Sequence, residues 1–364
     1  MKFVDEYRNF DIVQNIANKL RKLNSRKISL MEICGGHTMA IHRFGIPSLL
    51  PENIKLISGP GCPVCVSGIE FIDKAIECSK IKDVIITSYG DLIRVPGSKS
   101  SLEKEKSKGA DIRVVYSTLE TLEIAKFNRD KKVIFLGIGF ETTAPGTAVA
   151  IQKAHNENIS NFSLLSAHKI MPPVMEALLS EEVKIDGFIC PGHVSTITGS
   201  KIYNFIPDKY KIACVVTGFE PTDLMQSIYM LAKQINNNDQ KVEIQYSRAV
   251  TKQGNTKAQN IMNEVFETRD DNWRGIGEIP NSGLKLKEKY KSFDTELVFN
   301  VKVNSTNENK ACICGQILRG LKTPKECNLF GMICSPENPV GACMVSNEGA
   351  CHAFYKYGTT VILV

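Results

Sequence analysis

A chain of 364 residues that is 43% hydrophobic and 23% charged has the make-up of an ordinary folded protein and is long enough for two or three domains. Its net charge of +6 is mild and its lysines are not interleaved with aromatics, which argues against a nucleic-acid partner. No run nears the roughly eighteen apolar residues of a membrane span, and Met1-Lys2-Phe3-Val4-Asp5-Glu6 lacks the apolar core of a signal peptide, so a cytoplasmic protein without membrane association is expected.

Residues 1–25 read as an amphipathic helix, with Phe10, Ile12, Val13, Ile16 and Leu20 on or near one face. A strand, Ile28–Ile33, ends in Cys34-Gly35-Gly36-His37-Thr38, and a helix from Met39 to Phe44 follows. The pattern repeats with the strand Ile54–Ile57, the turn Ser58-Gly59-Pro60-Gly61-Cys62-Pro63-Val64-Cys65, a helix to Lys80 and the strand Val84–Thr87. Pro63 suits the first helical position, which puts Cys62 at a helix N-terminus, where the dipole favours thiolate. Strands alternating with helices predict a parallel α/β sheet, whose ligands gather at the carboxyl ends of the strands. Cys34, Cys62 and Cys65 all fall at such ends, so one rim is expected to hold all three.

Asp91 to Gly109, which includes the lysine-dense run 99–108, reads as a solvated loop and a boundary. A second alternating series follows, with strands Ile112–Tyr116, Val133–Leu136, Phe162–Leu165, Gly187–Cys190 and Ile212–Val216. Helices are predicted at Thr118–Phe127, Pro145–His155 and Thr222–Ile235. Conspicuous residues again follow the strands: Gly139-Phe140-Glu141-Thr142-Thr143, Ala167-His168-Lys169, Pro191-Gly192-His193-Val194-Ser195 and Gly218-Phe219-Glu220-Pro221. The repeated Gly-Phe-Glu is a hint of duplication. A strand Val242–Tyr246 and a helix Thr256–Phe266 come next; residues 268–300, with the only tryptophan, Trp273, read as irregular, and Thr359–Val364 as a terminal strand. The expected architecture is two parallel-sheet α/β domains, 1–110 (completed by 241–300 if Val242–Tyr246 returns to the first sheet) and 111–240, plus a cysteine-rich region, 301–364.

Twelve cysteines in such a chain argue for metal or catalytic thiols rather than structural disulfides. Cys78, Cys190 and Cys214 sit in apolar settings where a small-hydrophobe role suffices. In the tail, Cys312, Cys327, Cys334 and Cys351 are spaced C-x14-C-x6-C-x16-C, with Cys314 and Cys343 as further thiols. That spacing lacks the paired C-x2–4-C of zinc ribbons and suits a [4Fe–4S] cluster as well as tetrahedral zinc; it does not choose between Cys312 and Cys314. His37 is placed to tune Cys34 or to cap and pack. Glu141 and Glu220 read equally as paired acid–base carboxylates and as helix caps, and His168 and His193 as strand-end histidines. No Walker or G-x-G-x-x-G motif supports a nucleotide site.

Six motifs in one order, Cys34–Thr38, Gly59–Cys65, Gly139–Pro145, Pro191–Ser195, Gly218–Pro221 and Gly341–Cys351, resemble the HypD family of [NiFe]-hydrogenase maturation proteins over nearly the whole chain. Met39 departs from the pattern, standing where some members carry a second histidine. The resemblance implies two α/β domains facing a cleft, a [4Fe–4S] cluster on Cys312, Cys327, Cys334 and Cys351, and a role in building the Fe(CN)2CO group with the chaperone HypC and cyanide from HypE. It implies that Cys34 holds or approaches the nascent iron, that Cys62 and Cys65 relay electrons between cluster and iron, that His37 tunes Cys34, and that Glu141, His193 and Glu220 line the cleft. Such a protein is a maturation scaffold with redox thiols rather than a conventional turnover enzyme. The rival readings are a [4Fe–4S]-dependent thiol–disulfide oxidoreductase and a zinc-stabilised scaffold.

Overall fold

In the computed structural model, which describes residues 5–23, 26–180, 183–303 and 308–358, strands and helices alternate along most of the chain. The strands are β1 (Ile28–Glu32), β2 (Ile54–Ser58), β3 (Val84–Ser88), β4 (Asp111–Val114), β5 (Lys132–Gly139), β6 (Phe162–His168), β7 (Gly187–Pro191), β8 (Ala213–Thr217), β9 (Val242–Ile244), β10 (Phe266–Trp273) and β11 (Gly277–Leu286). One parallel sheet has the order β2-β1-β7-β8-β9 and a second the order β4-β3-β5-β6. The α/β class is therefore as the alternation predicts. Strands β3, β7 and β8 are buried along their whole length, the signature of parallel strands covered on both faces.

The chain leaves the first sheet after β2, builds the whole second sheet from β3 to β6, and returns as β7, β8 and β9. The sheets thus do not follow a division at residue 110: β3 pairs with β4 and β5, while β7 pairs with β1. Val242–Ile244 pairs with β8 in the first sheet, the alternative the sequence left open. One apolar core runs from Met31 and Cys65 through Ile134 and Trp273 to Cys343 and Ala350, so it joins both sheets to the cysteine-rich tail. Among the described residues no helix is long and apolar enough to cross a membrane.

Several elements differ from expectation. Residues 268–300 are not irregular: β10 and β11 form an antiparallel hairpin. Its polar exposed residues hide the two-residue alternation, but its anchors are buried. Trp273 is fully buried, its indole N–H donates to Ser282 Oγ at 2.8 Å, and its ring lies against Phe140. Lys169, only 2% exposed, pairs with Asp271 at 2.8 Å and pins the hairpin to the end of β6. The 91–109 passage holds a short helix, Leu102–Ser107, capped by the Ser101 hydroxyl and anchored by buried Leu102. The first helix spans Phe10–Lys22 and buries Val13, Ile16, Ala17 and Leu20, whereas Phe10 and Ile12 are exposed. The helix after β1 begins at Gly35 rather than Met39, because Cys34 accepts the first helical bonds from His37 and Thr38. The expected strand Thr359–Val364 lies outside the described residues.

Candidate functional site

Parallel register decides what meets at the rim of the first sheet. Glu32 on β1 is level with Ser58 on β2 and with Ile189 on β7, and Pro191 at the end of β7 is level with Thr217 on β8. The next residues of each strand therefore emerge side by side: the Gly59–Cys65 turn, then Cys34–Thr38, then Gly192–Ser195, then Gly218–Pro221. The strand order reverses between β1 and β7, and ligands of open α/β sheets bind at such a switch point. Cys34 and His193 flank it.

Cys34 caps the Gly35–Arg43 helix. The neighbouring turn lies directly on its backbone: the Gly35 N–H donates to Gly61 O at 3.0 Å, and a Cβ on Gly61 would stand 2.1 Å from Cys34 N. Burial, then the nearby carboxyls of Glu348 and Glu32, push the Cys34 thiol up to about 12, while the N–H groups of His37 and Gly36 pull it down. Glu32 is itself 2% exposed and pushed up to about 8 by burial. It accepts the Cys34 N–H at 3.1 Å and the Thr38 hydroxyl, so it holds the first turn of the helix against the strand that feeds it.

His37 is fully buried. Its Nε2 lies 3.1 Å from both Thr217 O and Gly218 O, and since both are acceptors, Nε2 carries the proton. Nδ1 then offers a lone pair, and no partner meets it among the described residues. Burial lowers the ring to about 4, so it stays neutral at pH 7. Phe219 stacks between two histidines, 4.7 Å from the His37 ring and 4.0 Å from that of exposed His193. The rim thus carries a stack from surface to interior beside Cys34, since a Cβ on Gly36 would meet both Phe219 and the Cys34 sulfur.

Cys62 and Cys65 are joined by a disulfide, a state the sequence left open; Cys62 is the N-cap and Pro63 the first residue of the short Pro63–Val66 helix, as the motif predicts. Both are buried, at 3% and 0% exposed. On its far side Cys65 Sγ lies 3.9 Å from Ala342 O, next to Cys343. Beyond stands a small apolar cavity lined by Cys312, Cys314, Cys327, Cys334 and Cys351 with Ile317, Leu329 and Phe330. Gly341 closes it so tightly that a Cβ there would meet Cys312 Sγ at 2.5 Å and Cys314 Sγ at 2.7 Å. Cys314 is the thiol held lowest, because Cys312, Cys343 and Cys351 direct S–H groups at it; that neighbour, and then burial, push Cys343 and Cys351 up. Val340 N–H donates to Cys334 Sγ at 3.3 Å. Among the described residues no group of three or more His, Cys, Asp or Glu is arranged to hold a metal ion directly. Cys78, Cys190 and Cys214 are buried free thiols, as expected.

The two glutamates part company. Glu220 caps the Pro221–Asn236 helix in a reciprocal box with Asp223 and pairs with Arg8, whose Nη2 donates to Oε1 at 2.9 Å. Glu141 belongs to the other sheet: its Oε1 accepts Met171 N–H at 3.0 Å, its Oε2 is buried without a partner among the described residues, and burial raises it to about 7. It caps the Met171–Leu178 helix rather than the one that follows it in sequence. His168 is buried against Thr147 Oγ1 at 3.0 Å. Glu32, Phe219 and Glu348 were not singled out from sequence. A lone carboxylate inside the apolar run Leu30-Met31-Glu32-Ile33 was the available signal for the first.

A family model described as the hydrogenase formation hypA family, HypD, matches residues 11–358. Three relatives similar over nearly their whole length are hydrogenase maturation factor HypD2 of Bradyrhizobium diazoefficiens (47% identical over 98% of this chain and 97% of the relative), and the hydrogenase maturation factors HypD of Azotobacter vinelandii (47%, 98% and 97%) and Cupriavidus necator (46%, 98% and 97%). The chain belongs to the HypD family.

Proposed function

We propose that this HypD-family chain acts in hydrogenase maturation as the scaffold on which the Fe(CN)2CO group is assembled, working with HypC and receiving cyanide through HypE. The observation that carries the reading is the adjacency of three cysteine groups: Cys34 at the switch point, the Cys62–Cys65 disulfide in the turn packed on its backbone, and the thiol-lined cavity of the tail segment that Cys65 touches at Ala342.

On this reading the cargo iron meets Cys34, a soft ligand suited to low-valent iron with diatomic ligands. Its thiol is neutral until the metal arrives and must then give up its proton, with Glu32 and Glu348 the nearest carboxyls. His37, neutral and fixed by two carbonyls, keeps a lone pair on Nδ1 inside the site. His193 shields the stack from solvent at its outer end. Reduction of the Cys62–Cys65 bond takes two electrons and two protons and leaves two thiols at the rim.

The tail's walls suit a [4Fe–4S] cluster, which asks for one thiolate per iron around a void rather than thiols converging on one ion. Cys312, Cys327, Cys334 and Cys351 would hold it, with Cys314 and Cys343 as the competing ligands. Bound there, it would supply a one-electron store. A thiol–disulfide oxidoreductase is the weaker reading, because both sulfurs of the Cys62–Cys65 pair are buried from a protein disulfide.

The test is iron, acid-labile sulfide and zinc content in anaerobically purified protein, with maturation assayed in cells. About four iron and four sulfide per chain are expected. Cys34→Ala should keep them and abolish maturation. One zinc and no sulfide, or loss of the cluster in Cys34→Ala, would overturn the assignment.

A further inference from the structure

The β10–β11 turn touches two sulfur groups at once. On one side it lies along the chain leaving Cys65: Arg274 N–H donates to Val66 O at 3.0 Å, and Trp273 and Ser67 form an antiparallel bridge. On the other side it meets the tail: a Cβ on Gly275 would stand 2.4 Å from Gly315 Cα, and one on Gly315 would stand 2.5 Å from Gly275 O. Gly315 directly follows Cys314, which lines the thiol cavity. The contacts close a ring, because Cys65 Sγ reaches Ala342 O at 3.9 Å and Gly341 packs on the Cys312 and Cys314 sulfurs. The turn is not free to follow either neighbour. Arg274 Nη2 donates to Pro96 O at 3.1 Å, the Trp273 indole is fixed on Ser282, and Lys169 holds Asp271.

We propose that this turn is a spacer that fixes how far the Cys62–Cys65 disulfide stands from the cysteine cavity, with Gly275 as its positioning residue. The inference rests on the reading of the tail as the electron store for the disulfide. At Gly275 and Gly315 backbone meets backbone, closer than any side chain allows, so the link has no rotamers and passes a displacement on as a rigid contact. An alanine at 275 must push one backbone back by about 1 Å to reach the 3.4 Å of ordinary contact. That displacement widens the gap between the sulfur groups without removing a sulfur. Gly275 is at φ +74°, so the substitution also strains the turn; Gly277, at φ +107° with nothing within 4 Å of a Cβ, carries such strain alone and is the internal control.

The test follows the appearance of Cys62 and Cys65 thiols, trapped by alkylation and counted by mass spectrometry, in anaerobically purified parent, Gly275→Ala and Gly277→Ala chains. Iron and acid-labile sulfide are measured in each. Dithionite, a one-electron donor oxidised to sulfite, supplies electrons by way of the tail; a water-soluble phosphine, oxidised to its oxide with oxygen from water, attacks the disulfide directly. Either way the S–S bond takes up two electrons, and two protons from water, to give two thiols. Gly275→Ala should slow the dithionite reaction about 10–100-fold, the cost of an ångström's misplacement. It should speed the phosphine reaction about threefold or more by loosening a buried contact. Gly277→Ala should leave both rates within about twofold of the parent. Slowing of both reactions by Gly275→Ala, or matching behaviour of the two variants, would overturn the spacer. If Gly275→Ala does not fold, Gly315→Ala decides, since it presses on the same contact from the tail without a positive φ. A parent without iron overturns the electron store, and the phosphine rates alone then decide for or against the spacer.

Discussion

Gly61→Ala is the sharpest probe of how the two cysteine motifs are held together. The added Cβ would stand 2.1 Å from Cys34 N and 2.3 Å from both Cys34 Cα and Ile33 C, against 3.4 Å or more in ordinary contact. All three atoms are backbone, so no rotamer relieves the clash and the turn must lift by about 1.3 Å. Gly61 is not at positive φ, so the penalty is steric rather than conformational. Overpacking of this kind costs about 1–3 kcal/mol, and losing the Gly35 N–H to Gly61 O bond adds about 1 kcal/mol. The expected loss is therefore about 2–4 kcal/mol, read as a lowered urea midpoint at unchanged m. Gly146→Ala is the control: nothing lies within 4 Å of its Cβ, it sits in the Ala144–Asn156 helix, and it should gain about 0.5–1 kcal/mol. A Gly61→Ala protein within about 0.5 kcal/mol of the parent would refute the close approach of the 59–65 turn to Cys34.

Arg248→Ala should cost about 3–5 kcal/mol, because it strands Asp223, which is 0% exposed and bound by both guanidinium nitrogens at 2.6 and 2.8 Å; Arg248→Lys should recover only part of the loss in the same denaturation series. His168 gives a pH signature. Burial lowers it to about 4 from 6.5, so between those values the unfolded chain takes up a proton the folded chain refuses. Its share of stability, about 3 kcal/mol, is present above pH 6.5 and lost as pH falls toward 4. His168→Gln should flatten the difference between urea midpoints at pH 7 and pH 5, and an unchanged difference would contradict a neutral buried ring. Phe219→Leu removes the ring between His37 and His193 at a loss of about 1–2 kcal/mol, and should shift the NMR signals of both histidines together; a shift in only one would contradict the shared stack.

Where a residue's neighbours are set by strand order alone, the sequence was readable. Cys34, Cys62 and Cys65 follow the predicted strands, and their shared rim requires only that β1 and β2 be adjacent and parallel. Pro63 announced the cap at Cys62. The hairpin at 266–286 was hidden because most of its residues are polar and exposed, and only Phe266, Trp273 and a few residues of β11 carry its burial. Glu141 and Glu220 could not be told apart, since each follows a strand and a Gly-Phe pair. What separates them is tertiary: Arg8, 212 positions away, reaches one, and the Met171 amide reaches the other. The lone pair left on His37 Nδ1 was equally out of reach, because it depends on two carbonyls from another strand.

The long excursion of the chain sets which segments flank Cys34. β1 and β2 supply the thiols of the rim between Ile28 and Cys65, where a right-handed α/β walk would next place β3 on the outer side of β2. Instead β3 starts a second sheet, and β7 returns to the free side of β1 only after that sheet is complete. This leaves the carboxyl end of β1 flanked by a turn from before the excursion and a helix start from after it, Gly59–Cys65 on one side and Gly192–Ser195 on the other. Both sheets then bury against the tail through one continuous apolar core, and the Cys62–Cys65 disulfide lies inside that core with Cys343 rather than on its surface. Cys34 is partly exposed, while the disulfide and Cys343 are buried.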